Sequence, residues 1–197
     1  YDPIIFNSKM PPAWHLENFH VLSSKLQGFT ERCYFSYVDY YKKTSRHLQE
    51  LEEKSEYRFY DANQTNVEII NHSMQMNKIA FNNKIQMYAC AEPLIDKEIK
   101  EGRLLGIKKA SCVDIDIIKE LFPSKFRNEN IKPTRDSCGC YPCKDIGAYD
   151  SCMYKCIYCY ANADFDNKSK TRLYDHNTES EYLVDEKINV ESNTGTK

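Results

Sequence analysis

Six of the nine cysteines in this 197-residue chain fall between positions 138 and 159. Their spacing is Cys138-x-Cys140-x2-Cys143-x8-Cys152-x3-Cys156-x2-Cys159, while Cys33, Cys90 and Cys112 stand apart. A disulfide framework normally spreads an even number of cysteines through a small secreted domain, so an odd count crowded into one stretch is a poor match. The pattern reads as thiolate ligation of metal in a reducing, cytoplasmic compartment. Cys152, Cys156 and Cys159, with Tyr158 just before the last, form a C-x3-C-x2-C triplet on one short loop. Three such thiolates can hold three irons of a [4Fe–4S] cube and leave the fourth open to a small molecule. Thiolates also select zinc, for example with Cys138 and Cys140 joined by Cys156 and Cys159 in a tetrahedron. Cys138, Cys140 and Cys143 are further ligand candidates in either case. Gly139 and Gly147 would permit the tight turns of a multidentate loop, and Asp145 is suited to support it through backbone amides.

These residues need a scaffold, and residues 1–123 read as one. Ile4-Ile5-Phe6, Cys33 to Val38, Ile85 to Cys90 and the weaker Gly106 to Val113 read as strands. Helical spacing appears in Trp14 to Gln27 (Leu16, Phe19, Leu22 and Leu26), around His47 to Phe59, from Thr65 (Val67, Ile70, Met74 and Ile79), and from Asp114 to Leu121. Strands alternating with helices argue for a parallel sheet or part of a barrel. Chemistry in such folds gathers at the carboxyl ends of strands. An acidic residue stands near each expected end: Asp2, Asp39, Glu92 and Asp114, with Cys90 and Cys112 two residues before the last two. These four carboxylates are the catalytic candidates. For Asp114 the simpler reading is a helix N-cap; Glu92, followed by Pro93, fits a cap less well.

Composition narrows the partners. Leu, Ile, Val and Phe make about 21% of the chain, enough for a modest core when 15 tyrosines are added. A net charge of −2 leaves no dominant basic face, which argues against nucleic acid. No run approaches the roughly 18 apolar residues of a membrane span. The chain starts at Tyr1 and reads as a fragment. It divides by pattern into 1–123, a cysteine-rich segment 124–165, and a polar tail 166–197, of which much is expected to be mobile.

The segment Arg135 to Asn162, with Cys138-Gly-Cys140, Asp145-Ile-Gly-Ala-Tyr149 and the triplet, resembles the C-terminal signature of the bacterial family called domain of unknown function 1848. Tyr1-Asp-Pro-Ile4, Cys90-Ala-Glu92 and Cys112-Val-Asp114 are similar to its pattern too, so the resemblance runs through most of 1–162. Cys143 departs from it, standing where the family pattern has serine. The resemblance implies an α/β fold that is the C-terminal portion of a (β/α) TIM-barrel-like domain, carrying a cysteine-rich metal-cluster loop. It also implies a triplet similar to that of radical-SAM proteins, hence a [4Fe–4S] cluster on Cys152, Cys156 and Cys159 with S-adenosylmethionine as its ligand. The Gly-Gly-Glu usual in those enzymes is absent, and only 38 residues follow Cys159. The expectation is an iron–sulfur protein, in one form a radical-type enzyme with an electron donor and an unidentified small-molecule or protein substrate. A non-catalytic electron-transfer or sensing module and a zinc-stabilised interaction domain are the alternatives.

Overall fold

The computed structural model describes residues 1–60, 66–123, 137–143, 147–162, 165–169 and 176–181. The chain forms two units, one of Tyr1–Asp39 with Leu51–Cys143, the other of Tyr40–Glu50 with Lys144–Lys197. The first runs α1 (Pro12–Leu26), β1 (Arg32–Phe35), the end of α2 (Lys42–Lys54), α3 (Asn66–Asn82), β2 (Gln86–Ala89), α4 (Pro93–Lys100), β3 (Ile107–Lys109) and α5 (Ile115–Leu121). β1, β2 and β3 are parallel and lie in that order, with Phe35 beside Ala89 and Ala89 beside Lys109. The Ile4 run adds a parallel bridge rather than a strand: Ile4 N donates to Ser36 O (2.8 Å), and Val38 N to Ile4 O (3.0 Å).

The sheet corrects the barrel expectation. The described residues contain an open sheet of three short strands, with no closed barrel. Two physical features account for this. A TIM barrel closes with eight strands, each buried on both faces. Here only alternate residues of β2 are buried, Met87 and Ala89, while Gln86 and Tyr88 are half-covered. The buried face packs with Phe35, Ile4, Phe19, Met76 and Ile107 in one core. The other face is aromatic and cationic: Tyr34 stacks on Tyr88 at 5.2 Å, and the Arg32 guanidinium lies 5.3 Å from the Tyr88 ring centre. Such a face tolerates water, so nothing forces the sheet to curl shut.

The helices turn different faces inward from those the apolar spacing suggests. α1 buries His15, Phe19 and Ser23, leaving Leu22 and Leu26 exposed. α3 buries His72, Ser73, Met76 and Ala80, while Val67 and Met74 face outward. The inward polar groups pair: Asn83 Nδ2 donates to Ser23 Oγ (2.9 Å), and the Tyr37 hydroxyl meets both His72 Nδ1 (2.8 Å) and Ser73 Oγ (2.9 Å). Paired buried polar groups escape the desolvation cost that a hydrophobic-stripe argument assumes.

His72 is the exception to full pairing, since its Nε2 makes no hydrogen bond of ordinary geometry, only a weak approach to the Pro12 backbone. Burial, aided by His15 nearby, lowers its pKa from 6.5 to about 4. The folded chain therefore binds fewer protons than the unfolded chain between those values, and stability falls as pH drops through that window. Between pH 7 and 5 the share of His72 in this loss is about 2 kcal/mol. Urea unfolding at the two pH values should show a smaller loss in His72→Gln; an equal loss would remove His72 from the account.

Candidate metal-binding thiols and the acidic strand ends

In the first unit, the carboxyl end of β2 leads directly into Cys90, whose amide donates to Phe35 O (2.9 Å). Ala91 then takes a left-handed backbone (φ 53°), a conformation costly for a residue with a Cβ. This turn sends Glu92 back towards β1. Its Oε1 accepts from Tyr37 N at 2.6 Å instead of capping α4. Burial pushes the Glu92 carboxyl up to about 8, against the pull of the Tyr37 hydrogen bond and with repulsion from Asp39, Asp2 and Asp96 adding to it. Asp2 accepts from the Ser36 hydroxyl. Asp2 and Asp39 thus both sit within electrostatic reach of Glu92.

Asp114 is used differently. It caps α5 by accepting from Asp116 N (2.9 Å) and Ile117 N (3.4 Å), and it pairs with Arg32 at 2.7 Å. Partial burial opposes ionisation, but the Arg32 and amide hydrogen bonds outweigh it and hold this carboxyl below its usual range. Its place is structural, as a cap and an ion-pair partner.

Four cysteines converge at the same strand ends. Cys90 Sγ and Cys112 Sγ are 3.7 Å apart, one following β2 and the other β3. Cys140 Sγ accepts from Cys112 N (3.1 Å) and Val113 N (3.4 Å), and Cys138 Sγ accepts from Cys140 N (3.5 Å). The short segment carrying Cys138 and Cys140 is fixed beside β3 by Ser111 Oγ to Gly139 O (2.8 Å) and Tyr141 N to Val113 O (2.9 Å). Gly139 is needed for closeness rather than for a turn: a Cβ there would meet Ala110 O and Ser111 Oγ at 2.9 Å. Burial, then the neighbouring Cys112 thiol, pushes Cys90 up to about 12, and burial also raises Cys140. Cys33 lies within β1, its Sγ directed at Tyr34 O (3.7 Å), and Cys143 is exposed.

In the second unit, residues 147–162 form a loop closed on itself by Asp150 N to Ala161 O (3.1 Å) and Asn162 Nδ2 to Cys152 O (2.7 Å). Left-handed turns occur at Asp150 (φ 56°) and Lys155 (φ 49°), where glycine is absent, and not at Gly147. The loop is anchored to the first part of α2: Lys43 Nζ, Thr44 Oγ1 and His47 Nδ1 reach the carbonyls of Tyr160 (3.1 Å), Tyr158 (3.3 Å) and Ile157 (3.2 Å). Within it, Cys159 N donates to Cys156 O (2.9 Å), so the last two cysteines bracket a tight turn. Cys152 and Cys156 are exposed and Cys159 is half-covered. Lys155 bonds Asp166 at 2.7 Å. Asp145 lies outside the described residues.

None of the nine cysteines forms a disulfide, and among the described residues no group of three or more His, Cys, Asp or Glu side chains is set to hold a metal ion. No helix among them is long and apolar enough to cross a membrane. What emerges is a small α/β protein with thiols and carboxylates at its strand ends and a second thiol set on a closed loop. The chain belongs to the family described as a domain of unknown function, DUF1848, whose model matches residues 1–161. No curated protein and no solved structure matches it.

Sequence reasoning missed three things here. The helix α4 is signalled by Pro93 at its first position, a favoured place for proline. The pairing of Arg32 with Asp114 spans 82 positions and has no local signal. Asp96, buried and 3.4 Å from Lys109, sits on the missed helix.

Proposed function

We propose that this chain is an iron–sulfur protein whose Cys152, Cys156 and Cys159 hold a [4Fe–4S] cluster, with one iron left for S-adenosylmethionine, in a radical-type enzyme. The observation that carries the reading is the loop from Asp150 to Ala161, closed by a backbone hydrogen bond, which carries all three cysteines on one anchored segment. The donor set fits the group: three soft thiolates in C-x3-C-x2-C spacing. Held by Cys152, Cys156 and Cys159, such a cluster would supply one-electron reduction of bound S-adenosylmethionine. The chain's own contribution is positional. Thr44, Lys43 and His47 fix the loop carbonyls, and Asn162 holds the Cys152 carbonyl. Within the first unit, Glu92 is the strongest candidate for acid–base work, because its raised pKa keeps a proton available near neutrality.

The test is electron paramagnetic resonance of the anaerobically reconstituted, reduced protein with and without S-adenosylmethionine. A spectrum altered by the ligand is expected. An unchanged spectrum sinks the radical chemistry and leaves a closed electron-transfer centre.

A further inference from the structure

We propose that Cys90, Cys112, Cys138 and Cys140 form a second thiolate site, which takes a single tetrahedral cation, zinc or iron(II), and is distinct from the triplet. The argument begins with one distance. Thiolates bound to zinc at about 2.3 Å in a tetrahedron stand about 3.8 Å from each other. Cys90 Sγ and Cys112 Sγ are already 3.7 Å apart. Thiolates on different irons of a cube stand much farther apart, since each points outward from its own metal. The pair is therefore spaced for one ion.

The other two sulfurs arrive on a segment built to stay close. Gly139 packs so tightly against Ala110 O and Ser111 Oγ that no Cβ fits, and the Ser111 and Tyr141 hydrogen bonds hold both ends of the segment. Cys140 Sγ rests on the amides of Cys112 and Val113, and Cys138 Sγ on the amide of Cys140. Amides directed at sulfur stabilise the thiolate form that a metal requires. Closing the four on a cation asks for side-chain rotation, because the three backbone segments already meet. Four thiolates with no open position make a structural site, one that ties the Cys138–Cys140 segment to the ends of β2 and β3. The proposal does not depend on the triplet holding a cluster.

The experiment uses the full chain with Cys152, Cys156 and Cys159 all replaced by Ala, titrated anaerobically with cobalt(II). One cobalt per chain is expected, with the sulfur-to-cobalt charge transfer and strong visible bands of a tetrahedral thiolate site. Cys33→Ser or Cys143→Ser added to this background should leave the spectrum intact, and Cys90→Ser with Cys112→Ser should abolish it. No tetrahedral spectrum in a background chain of wild-type circular dichroism overturns the proposal, as does a spectrum that survives the Cys90 and Cys112 changes. Alkylation of the wild-type chain, mapped by mass spectrometry, covers the case in which variants fail to fold. Zinc should slow modification of Cys90, Cys112, Cys138 and Cys140 by at least about tenfold; unaltered rates at Cys90 and Cys112 overturn the site. Zinc and iron counts on anaerobically purified protein decide which ion it holds. Iron and sulfide on the chain with only Cys90 and Cys112 replaced report on the triplet separately.

Discussion

Cys159→Ala should remove most of the iron and sulfide that the reconstituted chain takes up, and Cys152→Ala and Cys156→Ala should do the same. A cluster held by three protein thiolates has no spare ligand, so each substitution leaves only two. Cys159 is the most telling of the three, being the half-covered one and the end of the turn that begins at Cys156. Cys33→Ala is the matched control, since that thiol lies in β1 and points at Tyr34 O. Iron and inorganic sulfide per chain, with the visible absorption spectrum, are the measurements. Full iron and sulfide in any one of the three alanine variants would remove that cysteine from the ligand set.

Glu92→Gln should make the chain more stable in alkali. The carboxyl is raised from 4.5 to about 8, chiefly by burial, so the folded state holds a proton that the unfolded state has given up. Stability from this group is fully present below the unfolded value and is lost as pH rises through about 8. Glutamine keeps an oxygen for the Tyr37 amide but has nothing to ionise. At pH 9 the variant should therefore exceed the wild type by about 3 kcal/mol, after discounting for partial solvent access. Near pH 4 the two should coincide. Equal urea midpoints at pH 9 would mean that water reaches this carboxyl far better than its surroundings suggest.

The strand–helix alternation in the first unit was legible because it is local. The structure has β2 and β3 inside the runs read from Ile85 and Gly106, β1 overlaps the run from Cys33 but starts at Arg32 and ends at Phe35, and α5 starts after Asp114 as a capped helix should. The barrel was not legible, since closure depends on how many strands assemble and which faces are dry. The half-covered Tyr34 and Tyr88 decide that, and tyrosine reads equally well as core or surface. The helix faces misled for a related reason. His15, Ser23, His72 and Ser73 are polar by type, but each has a partner outside its own helix: Tyr1 for His15, Asn83 for Ser23, and Tyr37 for both Ser73 and Nδ1 of His72. Spacing alone brought out the triplet. It also noted Cys90 and Cys112 near two strand ends, but only the fold makes those strands neighbours and brings Cys138 and Cys140 to them.

An open sheet has a border, and that of β3 is defended by its own composition. Ile107–Lys109 is only three residues long, and Lys108 and Lys109 are both exposed. Past Lys109 the chain is flanked at once by Gly139 to Tyr141. A second chain adding a strand here in matching register would find at most three residues to pair with, and would set ammonium groups against ammonium groups. Lys108 and Lys109 thus help so short an open sheet avoid becoming a template for aggregation.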